Sequence, residues 1–541
     1  MSVEAKTDHA FDYVIVGAGS AGCVLAGRLT EDPRCRVLLL EAGGEADSDL
    51  IRTPALYAQL QDSPWDWGDR TAPQPHLLGR RIFMPQGRGL GGSSAINYMI
   101  YIRGNRADYD GWEAAGNRGW GYESVLPYFL RAECNRDLAD AYHGREGPLV
   151  VSSHASGNPL VERYFAAARE AGIAYNPDFN GSEQMGVGPL QATIATGRRC
   201  SAADAYLEPA RARPNLTVFT HALATRVLFR GSRARGVEYV RLGVSERAEA
   251  GCEVLLCAGS LRSPQLLMLS GIGPAAQLER HGLRVRVNLR GVGRNLQDHL
   301  HTRVRCAIRS PLTFPPLPQE AKAALRHGYE QEGTGPFASN CLEAGAFLPS
   351  RPGEAVPGLQ HFFLTLLSPD YPEAGPPLRH GITLTSYINR PQSRGEIRLA
   401  SANPLDRPIV DPNYLQTADD LRCAVAGVRW NLKILNASAF DDIRGEEVAP
   451  GAGQRSDAEL EAFVRRSAST TWHPAGTCRM GQDEAAVVDA ELKVHGVDGL
   501  RVVDASIMPT IVSGNTSAPV IMIAEKAADL LRQSSSRPAA V

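Results

Sequence analysis

The strongest constraint on the fold is a glycine-rich loop near the start of the chain. Residues 13–16 (Tyr-Val-Ile-Val) lead into Gly17-Ala-Gly19-Ser20-Ala-Gly22, a pattern typical of a buried strand that turns into a helix. Gly17 permits the tight turn, Gly19 lets a pyrophosphate approach the backbone, and Gly22 lets the helix pack on the strand. A helix that begins at Ser20 would point its free N–H groups at that anion.

A second strand and an acidic residue extend this pattern. Residues 36–40 (Arg-Val-Leu-Leu-Leu) precede Glu41, at the spacing of a Rossmann-type βαβ unit. A carboxylate here accepts hydrogen bonds from a ribose diol and repels a 2′-phosphate, so we expect FAD or NAD and not NADP. Ala42 is expected to contact the same ligand. The loop alone does not separate FAD from NAD.

The composition is that of an ordinary globular protein. Of 541 residues, 43% are hydrophobic, and the formal net charge is −2, which gives no reason to expect a nucleic-acid partner. The ten cysteines include no CxxC pair and no Cys/His cluster at metal-ligand spacing, so we expect reduced thiols and no metal site. No apolar run predicts a membrane span or a signal peptide. We expect a cytoplasmic protein, with peripheral membrane association as the alternative.

Two further glycine-rich stretches and a histidine segment separate FAD from NAD. They read Gly87-Arg-Gly-Leu-Gly-Gly-Ser-Ser-Ala-Ile-Asn-Tyr-Met99, Gly259-Ser-Leu-Arg-Ser-Pro-Gln-Leu-Leu-Met-Leu-Ser-Gly-Ile-Gly273 and Trp472-His-Pro-Ala-Gly-Thr-Cys-Arg-Met-Gly481. In all three, and over residues 11–531, the chain resembles the glucose-methanol-choline (GMC) family of flavoproteins.

The resemblance implies FAD and an α/β fold with two domains, of the GMC or PHBH-like architecture. One would be a Rossmann-like FAD-binding domain assembled from separated segments. The other would be a substrate domain built on an antiparallel sheet. We expect the FAD-binding domain at 1–155, 196–305 and 475–541, and the substrate domain at 156–195 and 306–474.

The resemblance also implies a set of FAD contacts. Gly91 and Gly92 remove side chains where the backbone approaches a ring or a phosphate. Ser93 and Ser94 offer hydroxyl donors to charged oxygens, and Val227 matches a strand that touches adenine. The expected contacts are Gly17, Gly19, Ser20, Gly22, Glu41, Ala42, Arg88, Gly91, Gly92, Ser93, Asn97, Tyr98, Met99, Val227, Trp472, Asp504, Ala505, Asn515 and Thr516.

Ile96 predicts how the flavin is held. In family members that bind flavin covalently, a histidine stands immediately before the asparagine that here is Asn97. This chain has Ile96 at that place. Because an alkyl side chain has no nucleophilic nitrogen, we expect non-covalent FAD.

His473 and Asn515 are the expected catalytic pair. The resemblance implies that a hydride moves from an alcohol carbon to flavin N5, a step that needs a base at the hydroxyl. His473 fits by residue type, since a neutral imidazole accepts a proton near neutral pH. Asn515 does not titrate, and we expect its amide to orient the substrate oxygen. A helix predicted from Ser517 would direct its positive dipole end at this site.

His299 and His301 have the spacing of a metal-binding pair. Nothing else in the sequence supplies the remaining ligands, and the resemblance implies a structural role for this segment near the domain junction. We therefore expect both histidines to be structural.

The substrate side is predicted from alternating and proline-rich runs. Residues 361–367 and 382–388 predict strands of an antiparallel sheet, and residues 319–329 predict an amphipathic helix. The proline-rich segments 311–318 and 368–377 are expected to be either lids or ordinary connectors.

These features together predict oxidation of a neutral primary alcohol, aliphatic or benzylic, to an aldehyde. We favour a dehydrogenase over an oxidase, and the electron acceptor stays open between oxygen and a quinone-like or dye-like carrier. The sequence identifies no cage for the quaternary ammonium of choline. The alternatives on the same fold are a hydroxynitrile lyase and a fatty-acid photodecarboxylase. Intact His473 and Asn515 argue against a non-enzymatic flavin carrier.

Overall fold

Two large sheets organise the chain. A computed structural model describes residues 10–153, 156–313, 319–368 and 379–536. Within them, the first sheet joins parallel strands to an antiparallel meander, and the second sheet is antiparallel throughout. Together with the helices, this confirms the predicted α/β fold with a Rossmann-like unit and a second, antiparallel sheet.

The first sheet contains the predicted βαβ unit. The strands of its parallel core are apolar and buried, as is typical of parallel strands. Helix Ser20–Leu29 follows the first strand and packs against the C-terminal helix Ser517–Ser536. In spatial order the strands are Leu216–Phe219, Val37–Leu40, Ala10–Val16, Val244–Leu256, Arg233–Arg241 and Ala222–Arg230, with Leu500–Val502 pairing beside Val244–Leu256.

The second sheet forms the other half of the molecule. Helix Ala418–Leu435 packs on one of its faces, where the Asn431 amide donates hydrogen bonds to Ser386 Oγ and to the Leu384 carbonyl. In spatial order the strands are Arg444–Ala449, Leu300–Ile308, Gly381–Ile388, Leu359–Leu364, Ala344–Leu348 and Gly186–Pro189, with Ser469–Thr470 pairing beside Leu300–Ile308.

Short strands and further helices connect the two sheets. A four-stranded sheet has the order Ile100–Tyr101, Gln191–Ala192, Leu149–Ser153 and Glu133–Asn135. The two-stranded pairs are Asp69–Arg70 with Phe83–Met84, Ile194–Ala195 with Arg198–Arg199, Ile272–Gly273 with Val287–Asn288, and Glu396–Arg398 with Ile409–Asp411. The other α-helices are Asp49–Arg52, Ser93–Ile96, Arg106–Ala114, Tyr122–Ala132, Pro159–Glu170, Glu208–Ala210, Gly259–Leu269, Ala275–Arg280, Gln319–Glu332 and Asp457–Ser467.

Alternation along strand Leu300–Ile308 decides which side chains face away from helix Ala418–Leu435. Thr302 contacts Ser386, which faces that helix. Because successive side chains of a strand point to opposite faces, His301 and Arg303 lie on the other face of the sheet. That face is turned toward the first sheet.

The predicted elements of the substrate side are found, and two segments are not described. The runs at 361–367 and 382–388 correspond to strands Leu359–Leu364 and Gly381–Ile388, and the helix predicted at 319–329 is Gln319–Glu332. Residues 314–318 and 369–378, which make up most of the proline-rich segments, lie outside the described residues.

One expected domain boundary divides a strand. The boundary at residue 305 falls inside Leu300–Ile308, all of which belongs to the second sheet. We therefore place the change of domain before Leu300 and keep the other boundaries as proposed. None of the helices in the described ranges is both long and apolar enough to span a bilayer.

Candidate active site

A long cavity between the two sheets contains both ends of the predicted site. Its wall includes Gly17 and Gly19 of the first loop, and also Trp472, His473 and Asn515 from the C-terminal part of the chain. The fold thus brings the glycine-rich loop and the proposed catalytic pair to one cavity.

The glycine loop is closely packed at its turn and open at the helix end. Gly17 has φ +99, and a Cβ there would lie 2.6 Å from the carbonyl oxygen of Cys257. A Cβ on Gly22 would lie 1.9 Å from the carbonyl oxygen of Gly17. Helix Ser20–Leu29 receives no side-chain cap from Gly19, so its first-turn N–H groups are available to an anion.

Two buried carboxylates flank this loop and are held by backbone N–H groups. Glu41 accepts hydrogen bonds from the N–H groups of Ala18 (2.9 Å), Gly43 (2.8 Å) and Gly89 (2.9 Å). Burial raises the pKa of Glu41, and these three bonds oppose that rise. A carboxylate has about four acceptor positions, so Glu41 keeps capacity for a ribose hydroxyl.

Asp504 has a similar environment on the other side of the loop. Its Oδ2 accepts hydrogen bonds from the Gly259 N–H at 2.9 Å and from Ser263 Oγ at 2.6 Å. Burial raises its pKa, while the hydrogen bonds lower it. A dinucleotide requires hydrogen-bond donors for its pyrophosphate and acceptors for its ribose hydroxyls. The glycine loop and the open helix terminus supply the donors, and the two fixed carboxylates supply acceptors. The residues present therefore fit FAD.

Most of the expected FAD contacts lie on the cavity wall. These are Gly17, Gly19, Ser20, Glu41, Ala42, Gly92, Ser93, Asn97, Tyr98, Met99, Trp472, Asp504, Ala505, Asn515 and Thr516. Ile96 also lies on the wall. The glycine loop at Gly17–Gly22 and the stretch Gly87–Met99 touch each other, because a Cβ on Gly92 would lie 2.6 Å from Gly19 Cα.

Four expected contacts lie off the wall: Gly22, Arg88, Gly91 and Val227. Gly22 and Gly91 instead allow close packing behind the loops, and the exposed Arg88 lies over the Trp67 ring. The Val227 N–H donates to Ser270 Oγ at 2.9 Å, while Ala222, Leu223 and Ala224 line the cavity.

Ser94 is not available as a donor to a ligand. Its hydroxyl donates to the Gly91 carbonyl at 2.6 Å, so the expectation for this side chain is wrong. Ser93 differs, because its Oγ accepts from the Gly87 N–H at 3.1 Å and its own hydrogen stays available to the cavity.

The backbone of His473 is anchored by a buried acid that the sequence reasoning missed. Oδ1 of Asp298 accepts hydrogen bonds from the N–H groups of His473 (2.8 Å) and His299 (2.9 Å), and its Oδ2 accepts from the hydroxyls of Thr470 and Tyr414. Burial raises the pKa of Asp298 to about 6, against the effect of these donors. Asp298 thus joins the two segments that carry the histidines.

The residue before the base has a strained backbone. Trp472 has φ 65, a left-handed conformation that bulky residues rarely adopt. Its N–H donates to Thr470 Oγ1 at 2.7 Å, and Thr470 is itself held by Asp298. This anchoring keeps the following residue, His473, directed into the cavity.

The hydrogen-bond partners assign the tautomer of His473. Nε2 of His299 lies 3.0 Å from the Asn389 carbonyl oxygen, which only accepts, so Nε2 carries the hydrogen of a neutral His299. Nδ1 of His299 is then a bare acceptor, 3.0 Å from Nδ1 of His473. His473 must therefore carry its hydrogen on Nδ1, where Thr471 Oγ1 is a second acceptor at 3.1 Å.

This tautomer leaves a lone pair on Nε2 of His473. The amide Nδ2 of Asn515 lies 3.3 Å from that nitrogen. Oδ1 of Asn515 accepts from Gln360 Nε2 at 3.2 Å and from the Tyr387 hydroxyl at 3.5 Å. These bonds orient the amide so that its N–H points toward the base.

Both histidines are neutral at physiological pH. Burial, with a contribution from His299, lowers the pKa of His473 well below its usual 6.5. Burial lowers the pKa of His299 to about 4, although the carbonyls of Asn389 and Val512 oppose the shift. One hydrogen lies between Nδ1 of His473 and Nδ1 of His299. A further proton can therefore add only at Nε2 of His473.

His299 is therefore more than the structural residue that the sequence predicted, since it contacts the proposed base directly. The sequence signal that could have revealed this contact is the Asp-His pair at 298–299, together with the histidine at 473. His301 lies on the cavity wall. The two rings do not form a metal pair, because His299 is committed to His473 and Asn389.

A different cluster has ligand atoms within 4.8 Å of one another: Asp140, His143 and Asp178. Both ring nitrogens of His143 face carboxylates, Glu133 at 3.2 Å and Asp178 at 2.9 Å. Hydrogen bonds to these acids overcome burial and raise the pKa of His143 to about 9. A protonated imidazole in an ion network explains this cluster without a metal.

Family comparison agrees with the geometry of the cavity. Models of the N- and C-terminal parts of GMC oxidoreductases match residues 11–301 and 391–524. The chain is a GMC oxidoreductase. The matched ranges include the glycine-rich loops, His473 and Asn515.

Curated relatives of this GMC oxidoreductase are similar over nearly their whole length. An oxygen-dependent choline dehydrogenase of Burkholderia thailandensis is 45% identical over 97% of this chain and 94% of its own. An alcohol dehydrogenase (acceptor) of Pseudomonas putida is 44% identical over 96% of this chain and 95% of its own.

Solved structures of oxidases have the same fold as this GMC oxidoreductase. Pyridoxine 4-oxidase from Mesorbium loti has a TM-score of 0.88 at 36% identity, covering 98% of this chain and 100% of that one. A variant of the formate oxidase of Aspergillus oryzae, made to test the effect of a mutation on FAD modification, has a TM-score of 0.92 at 27% identity, covering 98% and 99%. A fungal aryl-alcohol oxidase has a TM-score of 0.85 at 27% identity, covering 98% and 100%.

Proposed function

We propose that this GMC oxidoreductase uses FAD to oxidise a primary alcohol to an aldehyde, with His473 as the base. The observation that carries the proposal is the bare Nε2 of His473, 3.3 Å from the Asn515 amide, on the wall of the cavity that contains the glycine loop. The relatives named as choline and alcohol dehydrogenases support the reaction class.

The cofactor would be held by residues of the glycine loop at Gly17–Gly22 and of the stretch Gly87–Met99. The N–H groups of the first turn from Ser20 would bind the pyrophosphate, Glu41 would bind the ribose, and Ser93 would donate from the second stretch. When bound, FAD supplies the acceptor for the hydride that leaves the carbinol carbon. Ile96 on the wall offers no atom for a covalent link, so the binding is non-covalent.

Residues of the chain itself accept the proton of the alcohol and stabilise its oxygen. A substrate hydroxyl placed between His473 and Asn515 donates its hydrogen to Nε2 of the imidazole. The N–H of Asn515 then stabilises the oxygen as negative charge develops. Because Nδ1–H of His473 stays bonded to His299 and Thr471, the imidazolium that forms keeps its orientation. Bases of this kind contribute about 10² to 10⁴ in rate.

Aromatic side chains shield the site from water. The ring of Tyr98 meets the Trp472 ring edge-on, with centroids 5.0 Å apart, and both line the cavity. Tyr98 also accepts a hydrogen bond from Gln61 Nε2 at 3.0 Å, which fixes its ring. An apolar, aromatic wall beside the base suits an aliphatic or benzylic alcohol.

The electron acceptor and the compartment belong to the same proposal. We favour a dehydrogenase, with a quinone-like or dye-like carrier, over an oxidase that uses oxygen. All ten cysteines are free thiols, which supports a reducing, cytoplasmic compartment, with peripheral membrane association as the alternative.

The decisive experiment mixes the purified yellow protein anaerobically, in the dark, with a panel of primary alcohols. Loss of the visible flavin absorbance with some alcohol, and formation of the aldehyde, supports the proposal. Cleavage of a cyanohydrin without bleaching would show a lyase, and light-dependent release of carbon dioxide from a fatty acid would show a photodecarboxylase. The rate at which colour returns in air then separates an oxidase from a dehydrogenase.

A further inference from the structure

Two residues of the second sheet contact the amide of Asn515. Gln360 and Tyr387 are directly opposite each other on neighbouring strands, so their side chains share one face of the sheet. Nε2 of Gln360 lies 3.2 Å and the Tyr387 hydroxyl 3.5 Å from Oδ1 of Asn515. Asn515 precedes helix Ser517–Ser536, which packs against the helix of the glycine loop. These contacts therefore join the two halves of the molecule at the proposed catalytic amide.

A backbone carbonyl fixes the direction of the hydrogen bonds at the site. The Asn389 carbonyl only accepts, and through His299 this leaves Nε2 of His473 as a bare acceptor. Asn515 must then present its Nδ2–H to that nitrogen, which turns its Oδ1 toward the second sheet. Gln360 accordingly donates to this oxygen through Nε2. From Gln360 to Asn389, every donor in the chain of bonds points the same way.

The other side of the Gln360 amide is enclosed. The side chain is fully buried, and its Oε1 has no hydrogen-bond partner within the part of the chain that the structure describes. A Cβ on Gly514 would lie 3.6 Å from this oxygen and 2.4 Å from Ile102 Cγ2, so the surroundings are closely packed. Turning the amide of Gln360 over would bury its two N–H groups there, and buried N–H groups without partners are rarer than such carbonyls. The packing thus keeps the N–H of Gln360 directed at Asn515.

Proton transfer reverses what Nε2 of His473 requires from its neighbour. Once the imidazole has taken the proton of the alcohol, Nε2 carries a hydrogen, and the N–H of Asn515 becomes a second donor facing it. An unrestrained amide would turn and present Oδ1 to the imidazolium, because this oxygen is the acceptor of the group. The substrate oxygen would then lose its N–H donor while its negative charge develops.

We propose that Gln360 is a positioning residue that holds Asn515 in its donor orientation after His473 has accepted the proton of the alcohol. This inference rests on the proposed function, because it supposes a substrate oxygen between His473 and Asn515. Turning the amide of Asn515 would break its bond from Gln360 and set one N–H against another. Gln360 is not among the residues of the described cavity wall, so it acts through Asn515.

A double-mutant cycle tests this coupling by anaerobic stopped-flow reduction, with a primary alcohol that bleaches the wild-type flavin. Gln360→Met removes the N–H with little change in size, and we expect the limiting rate of flavin reduction to fall about 3- to 10-fold, as for one neutral hydrogen bond. Asn515→Leu has no amide to orient, so Gln360→Met should cause no further loss in that background. An equal loss in both backgrounds, or no loss in the wild-type background, would overturn the inference.

The dependence on alcohol concentration separates positioning from binding. Because the N–H of Asn515 acts on charge that develops during the reaction, Gln360→Met should lower the limiting rate and change the apparent Kd of the alcohol by less than about twofold. A loss confined to Kd would assign Gln360 to substrate binding and would overturn the inference.

Gln360→His is the conservative variant. Its ring N–H can take the place of the amide Nε2–H, so we expect a rate within about threefold of the wild type. Equal losses in Gln360→His and Gln360→Met would mean that the residue supports only packing, and the inference would fail.

Asn431→Leu is the matched control. Asn431 is another fully buried amide, and it donates to Ser386 Oγ and to the Leu384 carbonyl on the opposite face of the same sheet. We expect this variant to keep the wild-type rate within about twofold, since it removes hydrogen bonds of the sheet without contact to Asn515. A loss as large as that in Gln360→Met would show a general effect of the sheet and overturn the inference.

The visible spectrum checks for bound flavin in every variant. Normal reduction of the wild type with no coupling between Gln360 and Asn515 would remove the inference and leave the proposed function intact. If no alcohol bleached the wild-type flavin, the proposed function itself would fail.

Discussion

Nδ1 of His299 lies 3.0 Å from Nδ1 of His473, and the two nitrogens share a single hydrogen. The Asn389 carbonyl, 3.0 Å from Nε2 of His299, determines which of the two rings carries this hydrogen. His299 donates to that carbonyl, so His473 donates to His299. The contact therefore leaves Nε2 of His473 free to take a proton, and a buried histidine fixes the protonation state of the proposed base.

This arrangement predicts different effects for two substitutions of His299. His299→Leu removes the acceptor for Nδ1–H of His473, and we expect the rate of anaerobic flavin reduction to fall about 10- to 100-fold, the value of a hydrogen bond of about 1.4 to 2.8 kcal/mol. His299→Asn can present an oxygen near the same place and should retain most of the rate. Stopped-flow reduction with a saturating alcohol measures both variants.

Both variants should bind flavin normally, since His299 lies outside the glycine-rich stretches. Equal losses in His299→Leu and His299→Asn would mean that the residue supports only packing. In that case the assignment of the tautomer would lose its experimental support.

The lowered pKa of His473 predicts the pH dependence. The base acts in its neutral form, so kcat/KM rises with pH through the pKa of the free enzyme and is constant above it. Because burial and His299 lower that pKa well below 6.5, we expect the midpoint of the rise below pH 6.5 and no gain between pH 7 and 8. A midpoint above pH 7 would contradict this electrostatic description.

Asn515 should contribute through its N–H group and not through its size. Asn515→Leu removes the donor next to the developing negative charge, and we expect a loss of about 10² to 10³ in the rate of flavin reduction. A histidine also carries a ring N–H donor, so Asn515→His restores a donor and should recover part of the loss.

The measurement for Asn515 is again anaerobic reduction, with the visible spectrum as the control for bound flavin. A rate in Asn515→Leu within about threefold of the wild type would show that the substrate oxygen is held by other groups.

Ile96 predicts that the flavin separates from the unfolded chain. Ile96 lies on the cavity wall, and its alkyl group forms no bond to a flavin. We expect all of the yellow colour in the filtrate after denaturation and filtration. A protein with covalently attached flavin, carried through the same steps, is the control. Colour that stayed with the precipitated chain would contradict the prediction.

Local motifs made the cofactor end predictable from sequence, because each role depends on neighbours along the chain. Gly17 and Gly22 serve a turn and a helix that begin within a few residues of each other, and Glu41 ends the next strand. The role of His299 depends instead on the pairing of Leu300–Ile308 with Ser469–Thr470. The Asp-His pair at 298–299 singles out this segment, but no short pattern shows that it pairs with the segment that carries His473.

Val227 shows a second limit of prediction from sequence. Its strand has an irregularity in register between Ala224 and Arg226. Because of the extra residue at this irregularity, Val227, which is opposite Val237, points to the same face as Ala224, which is opposite Tyr239. The described wall nevertheless ends at Ala224, and Val227 lies further along the strand beside Ser270. The motif predicted a strand that lines the cavity, but not how far along the strand the wall extends.

The role of His473 is tested most directly by anaerobic stopped-flow reduction of His473→Gln, which keeps the flavin site and a polar side chain but has no basic nitrogen. The account predicts a normal oxidised flavin spectrum and a reduction rate lower by about 10² to 10⁴ than that of the wild type, without the acid limb of the pH profile. Near-normal reduction of the flavin by an alcohol in this variant would contradict the account.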